Sequence, residues 1–368
     1  MKRDFILGKV ADLMGWSDER FRDEFAWLSL MSRMKYDDYQ EFVAGTRFVE
    51  SLADWLQQFP KEDRAVAYDF VRSKLLFFSE AEMRHLVELL YPEAIEPFLL
   101  TRTSELTGTP RYATWSDSSS AETFRTLLRK TIFVELSDGA RIDIFRRANE
   151  GRISNEQVIT APRIIKEKWD DMLSELRKDL KDDSAKFGCV VLVDDFTGSG
   201  KSLLRNKDGQ WKGKMPRFYS DVVKDGVSST HFEDDWSLIV HHYVATSQAV
   251  EAVLRNHEAR AADDSAGGWF ERVEFTWGIE LPPDIRETVD SSPQFAKLVQ
   301  KYYDDSIETR HMKVGGDDGR WGFGECGLPL VMEHNTPNNS IALLWAETEG
   351  KDGKHAMRPL FRRRQRHL

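Results

Sequence analysis

The feature that most restricts how this chain can fold is an apolar run, Cys189-Val190-Val191-Leu192-Val193, that stops abruptly at two carboxylates, Asp194 and Asp195. A run this short and this apolar reads as a strand buried on both faces of a parallel sheet. Two charged side chains at its carboxyl end make sense only if something polar meets them there. The following Phe196-Thr197-Gly198-Ser199-Gly200-Lys201-Ser202 is a loop of mostly small side chains. Its backbone N–H groups are little obstructed, Thr197, Ser199 and Ser202 carry hydroxyls, and Lys201 carries a cation. A helix expected to follow directly would add the positive end of its dipole, so the segment suits a phosphate.

The competing motif is the nucleotide-binding P-loop, whose second half matches Gly200-Lys201-Ser202. That motif needs a glycine where this chain has Asp195. A carboxylate there would set negative charge beside bound phosphates and remove the backbone freedom of glycine, so the ATP-binding reading is set aside.

Around this motif the pattern alternates. Thr131–Leu136, Cys189–Val193, Ser237–Val244, Arg272–Trp277 and Leu328–Glu333 read as strands; Pro162–Leu180, Gln248–His257 and Phe295–Tyr303 read as helices. Alternation of this kind predicts an α/β fold with a mostly parallel sheet, which binds ligands at the carboxyl ends of its strands. His241 and His242 lie in one strand and so face opposite sides of the sheet, at most one of them near the site. The segments Arg205–Ser229 and Asp304–Glu325 read as irregular inserts. The first hundred residues read instead as helices, with a capping box at Ser79 and Glu82 and a stop before Pro92. They are either a helical packing or dimerisation module or a helix-turn-helix variant. The Thr-, Ser-, Gly- and Pro-bearing stretch Thr101–Ser120 reads as a linker. The expected domains are 1–105, helical; 106–350, α/β; and 351–368, a basic tail.

Apolar residues, two acidic residues and then a Thr-Gly-type loop together resemble the PRPP motif of type I phosphoribosyltransferases. Here that loop reads Ser199-Gly200-Lys201-Ser202, with hydroxyls kept and Lys201 as a departure from the small residue usual there. The resemblance implies a sheet of the type I phosphoribosyltransferase kind behind an all-helical, winged-helix-like N-terminal domain. It implies that Asp194 and Asp195 hold the ribose hydroxyls, while Thr197, Gly198, Ser199, Gly200, Lys201 and Ser202 hold the 5′-phosphate. An earlier pyrophosphate loop falls at Ser137, Asp138, Gly139, Ala140 and Arg141, with Gly139 allowing a tight turn and Arg141 offering a phosphate fork. Arg146 and Arg147 either extend that positive field or form a solvated, ion-paired face. Asp194, Asp195 and Arg141 are the implied catalytic residues, with PRPP as substrate or ligand and Mg2+ as cofactor. Adding His334-Asn335-Thr336-Pro337-Asn338-Asn339 and Trp345, the chain resembles a bacterial lineage of phosphoribosyltransferase-like proteins from phage-defence gene clusters. Asn335 and Asn338 are then candidate base or lid contacts, although on their own terms they read as a polar turn.

Composition sets the remaining expectations. A net charge of -10 disfavours a surface that grips nucleic acid throughout, leaving a local basic patch such as Arg362-Arg363-Arg364-Gln365-Arg366. The two cysteines, Cys189 and Cys326, have no partners at metal-ligand spacing, which argues against a disulfide framework or zinc site. No apolar stretch is long enough to cross a membrane, and the chain is expected to be cytoplasmic and oligomeric. Expected partners are PRPP or a nucleotide, with a second defence-system protein or nucleic acid reached through the helical domain or the tail. Two functions stay open: a phosphoribosyltransferase-like effector enzyme, and a catalytically silent PRPP-sensing regulator with an N-terminal DNA- or partner-binding domain.

Overall fold

The computed structural model describes residues 2–160, 164–224, 226–309, 312–316 and 318–363. The strands among them, in chain order, are β1 Leu76–Phe78, β2 Thr131–Glu135, β3 Val158–Ile159, β4 Phe187–Thr197, β5 Arg205–Lys207, β6 Gln210–Lys212, β7 Phe232–Thr246, β8 Val273–Leu281 and β9 Leu330–Met332. The chain divides into two compact units, one formed by Met1–Met83 with Pro282–Leu368, the other by Arg84–Leu281. Compactness therefore cuts the chain at other places than residues 105 and 350.

In the first unit, apolar spacing on the helix Phe48–Gln57 buries Phe48, Leu52, Trp55 and Leu56 on one face. That face packs on the C-terminal segment. Trp55 donates its indole N–H to the Leu343 carbonyl at 2.9 Å, and Phe48 stacks on Phe361 with ring centroids 5.6 Å apart. Leu328–Glu333 was expected to continue the main sheet. Instead β9 pairs in parallel with β1, because Phe77 and Val331 are buried in the core of the N-terminal helices.

The second unit begins with two departures from expectation. The helix does not stop before Pro92; a π-helical turn, Leu90–Ile95, absorbs the proline and leads into the helix Glu96–Thr107. The expected linker is also largely helical. Thr101, Thr103 and Thr107 turn their hydroxyls back onto carbonyls one turn earlier, and Asp117 caps the helix Ser118–Arg129 by accepting from the Ser120 N–H at 2.7 Å. Polar residues that composition assigns to a linker are serving as helix caps and back-bonded turns.

The centre of this unit is a five-stranded sheet in the order β3-β2-β4-β7-β8, parallel at every pairing. Val190 and Leu192 of β4 share a face with Ile132 and Val134 of β2 and with Leu238 and Val240 of β7. Trp169, Met172, Leu173 and Leu176 of the helix Lys166–Leu180 cover that face; the expected start of this helix at Pro162 lies outside the described residues. Each fully buried aliphatic or aromatic side chain of this layer contributes about 1.5–3 kcal/mol.

The strand order fixes where a ligand can go. From β2 the chain passes to β3 on one side, whereas from β4 it passes to β7 on the other. The loops leaving β2 and β4 therefore diverge, opening a crevice at their carboxyl ends.

Candidate functional site

The two loops at this crevice are the ones beginning at Ser137 and Thr197, and a side-chain pair joins them. The Ser137 hydroxyl donates to Asp194 Oδ1 at 2.5 Å. The Lys214 ammonium donates to the other oxygen, Oδ2, as a salt bridge. Asp194 is 3% exposed, so both partners act in a poorly hydrated setting where charge-assisted bonds are strong. Strand alternation sends Asp195 to the opposite face, where it is half-buried and accepts from the Phe196 N–H at 2.8 Å. The two carboxylates thus occupy different environments despite being adjacent in sequence.

Register places His242 opposite Asp194 and His241 opposite Val193, on opposite faces as alternation requires. His242 Nε2 lies 3.9 Å from Asp194 Oδ2, too far for a hydrogen bond. Burial pushes the His242 imidazole down to about 4; Asp194 opposes this shift and the Lys214 cation adds to it. His241 bonds Thr276 Oγ1 at 2.8 Å, and burial, with His242 beside it, brings it to about 3.

After β2, Ser137 is extended and Asp138–Ala140 forms a 3-10 turn. Gly139 lies within that turn, and the left-handed residue is Arg141, at φ 50° and ψ 37°. A non-glycine residue held there stores backbone strain, which is common where a loop grips a ligand. Burial pushes Glu135 at the end of β2 up to about 6, reinforced by repulsion from Asp138, Asp143 and Asp194. Arg147 pairs with Asp143 one helical turn earlier, in keeping with an ion-paired face.

The loop after β4 departs from expectation in one important respect. No helix follows it directly. Arg205–Lys207 and Gln210–Lys212 form an antiparallel hairpin, turning at Asp208 and Gly209, both with positive φ, the combination a tight hairpin demands. The helix begins only at Lys214. The hairpin is nevertheless an excursion that closes on itself, because the Lys214 and Met215 N–H groups donate to the Ser202 and Leu203 carbonyls at 3.0 and 3.1 Å. Gly213, at φ 130°, makes the closure; a Cβ there would fall 2.3 Å from the Leu203 oxygen.

The helix end is thereby joined to the loop, but its leading donors are spent on loop carbonyls and Pro216 has none. The expected helix-dipole contribution in the form of open N–H groups is absent, and the Lys214 side chain brings a second cation beside Lys201's loop. Within the loop, Thr197 and Ser199 are buried, Lys201 is half-buried and Ser202 is exposed. Gly198 accepts from the Thr246 hydroxyl at 2.7 Å. Thr197 Oγ1 is buried with no hydrogen-bond partner.

Among the described residues, no three His, Cys, Asp or Glu side chains converge on one metal position. A cation arriving already chelated by a polyphosphate would meet the carboxylates of Glu135 and Asp138 beside the Ser137 loop.

Asn335 and Asn338 belong to the first compact unit. The Asn335 N–H donates to the Met332 carbonyl at 3.0 Å, so the polar-turn character holds. The basic tail is described only to Arg363; Arg364, Gln365 and Arg366 lie outside the described residues. Arg362 pairs with Glu347 at 3.3 Å, and Arg363 lies over the Trp345 ring at 5.5 Å. A separate cleft of about 440 Å3, lined in part by Arg102, Glu105, Arg272 and Glu274, lies where β8 begins, at the opposite end of the strands from the crevice.

A mostly parallel central sheet with helices on its faces is consistent with a phosphoribosyltransferase-like fold. Residues 52–363 match the PRTase-CE family model, and the chain belongs to the PRTase-CE family. Neither a curated protein nor a solved structure matches it. No described helix is long and apolar enough to cross a membrane.

Lys214 lies within Arg205–Ser229, a segment that reads as irregular from its sequence. Two local signals were present: Asp208-Gly209, a hairpin turn, and Pro216, which suits the first turn of a helix.

Proposed function

We propose that the Arg84–Leu281 unit binds PRPP, or a closely related ribose 5-phosphate compound, together with Mg2+, and performs chemistry at the anomeric carbon. The observation that carries this reading is the Ser137–Asp194 hydrogen bond, which couples the proposed pyrophosphate loop to the proposed ribose carboxylate at the divergence point of a parallel sheet. In this reading Asp194 and Asp195 hold the ribose as positive charge develops at its anomeric carbon. Ser137, Asp138, Gly139, Ala140 and Arg141 take the pyrophosphate, and the segment Thr197–Ser202 takes the 5′-phosphate. When bound, Mg2+ would neutralise charge on the leaving pyrophosphate. Calorimetry with PRPP and Mg2+ tests the assignment. The intact protein should bind, Asp194→Asn and Asp195→Asn should weaken binding, and an intact, folded chain that does not bind would overturn it.

The same reading makes the protein an effector of bacterial antiphage defence, supported by the resemblance of residues 137–147, 189–202 and 334–345 to proteins of that setting. Plaque counts in cells carrying the natural gene cluster, with and without Asp194→Asn, test this role. Equal protection by both would overturn it.

A second reading, a silent PRPP- or nucleotide-sensing regulator, is favoured by the Lys214–Asp194 pair, which already satisfies the carboxylate. Release of pyrophosphate from PRPP by the purified protein separates the two readings.

A further inference from the structure

The leading N–H groups of the helix Lys214–Lys224 are committed to the Ser202 and Leu203 carbonyls, so the phosphate loop lacks the open helix donors that usually serve an anion. A cation is held in their place. Lys214 is the first residue of that helix, and its ammonium rests on Asp194 Oδ2, with the lysine side chain 27% exposed and the aspartate side chain 4% exposed. The backbone around it is fixed by the closure at Gly213, leaving the flexible side chain as the part able to move.

We propose that Lys214 is a positioning residue shared between the two halves of the ligand. It rests on Asp194 and transfers to the phosphate when ribose hydroxyls take over the carboxylate. This deepens the proposed ribose-phosphate site and rests on that reading. The physical logic is exchange: Asp194 is too deeply buried to lose the donor at Oδ2 without a replacement, and ribose hydroxyls arriving there supply one and release the ammonium. Release of the ammonium then coincides with arrival of an anion at Ser202. Ribose and phosphate binding are thereby coupled through one side chain, which penalises ligands carrying only one of the two groups.

The coupling makes a counterintuitive outcome testable with inorganic phosphate alone. Asp194→Asn keeps the shape and an acceptor for Ser137 but weakens the hold on Lys214. Measured by calorimetry on the full chain, this variant should bind phosphate about tenfold more tightly than the unmodified protein, the value of one charge-assisted bond. Lys214→Met in the Asp194→Asn background should abolish the gain, and Lys214→Arg there should largely restore it. Thermal melting verifies that each variant is folded. If Asp194→Asn does not fold, Lys214→Gln alone decides with two probes: affinity for ribose 5-phosphate falls by a similar factor while affinity for inorganic phosphate does not if the proposal holds, and an unchanged ribose 5-phosphate affinity overturns it.

Phosphate that binds the unmodified protein and Asp194→Asn equally would overturn the transfer while leaving the ribose-phosphate site standing. A gain that survives Lys214→Met would do the same. Failure of every variant to bind phosphate would remove the site and the transfer together.

Discussion

Ser137 and Asp194 stand 57 positions apart in the chain and share a 2.5 Å hydrogen bond. This bond joins the ends of neighbouring strands, so two loops that leave the sheet in opposite directions are held to one another. A hydrogen bond to a buried charged group contributes about 1.5–3 kcal/mol. Ser137→Ala should lower unfolding free energy by that order in urea denaturation, and it should weaken pyrophosphate binding because the loop loses its anchor. Unchanged stability would mean that the loop is held by its backbone alone.

The buried histidines give a pH dependence of definite sign. His242 is lowered from 6.5 to about 4, so the unfolded chain takes up a proton that the native state resists. The stability it contributes is complete above pH 6.5 and is lost as pH falls through 4, amounting to roughly 3 kcal/mol. Urea midpoints measured between pH 7 and 4 should fall less steeply in His242→Gln than in the parent. Parallel curves would show that the ring is not held neutral.

Glu135 works in the other sense. Its carboxyl is raised from 4.5 to about 6, so the native state binds this proton more tightly than the unfolded chain does. Its contribution is present below pH 4.5 and lost as pH rises through 6. Partial exposure limits the effect to about 1 kcal/mol. Glu135→Gln should therefore melt higher than the parent at pH 7.5, with the difference shrinking toward pH 4.5.

Gly213→Ala should be costly. The new methyl would meet the Leu203 carbonyl oxygen at 2.3 Å on a backbone at φ 130°, so the closure must shift at a cost of about 1–3 kcal/mol. The hydrogen bonds from Lys214 and Met215 to the loop should weaken with it. Amide hydrogen exchange at those two positions should accelerate relative to the β4 interior, and equal protection would contradict this account of the closure.

The main sheet was legible because its information is local. The apolar run Cys189–Val193 and the alternation of neighbouring segments identify buried strands without knowledge of their partners, and β4 extends the run only to Phe187 and Thr197. The opposite facing of His241 and His242 followed from the pleat. The pairing of β9 with β1 was not legible, since nothing in Leu330–Met332 distinguishes one parallel partner from another. Nor was the helical character of Thr101–Thr107, where hydroxyls that favour loops in isolation bond back along a helix secured by tertiary packing. Within the site, residue types indicated which groups stand at the strand ends. The left-handed backbone at Arg141, and the arrival of Lys214 beside Asp194, depend on chain closure that no spacing encodes.

The closed hairpin between Leu203 and Gly213 makes the stretch Arg205–Lys212 a side branch of the chain. Its loop-closure entropy is a local matter, insulated from the long connections that assemble the sheet. A turn grafted at Asp208-Gly209 would lengthen the branch without moving either of its roots. That makes the hairpin tip the natural attachment point for a fluorophore or tag whose signal follows events at the crevice while the strands beneath it keep their register.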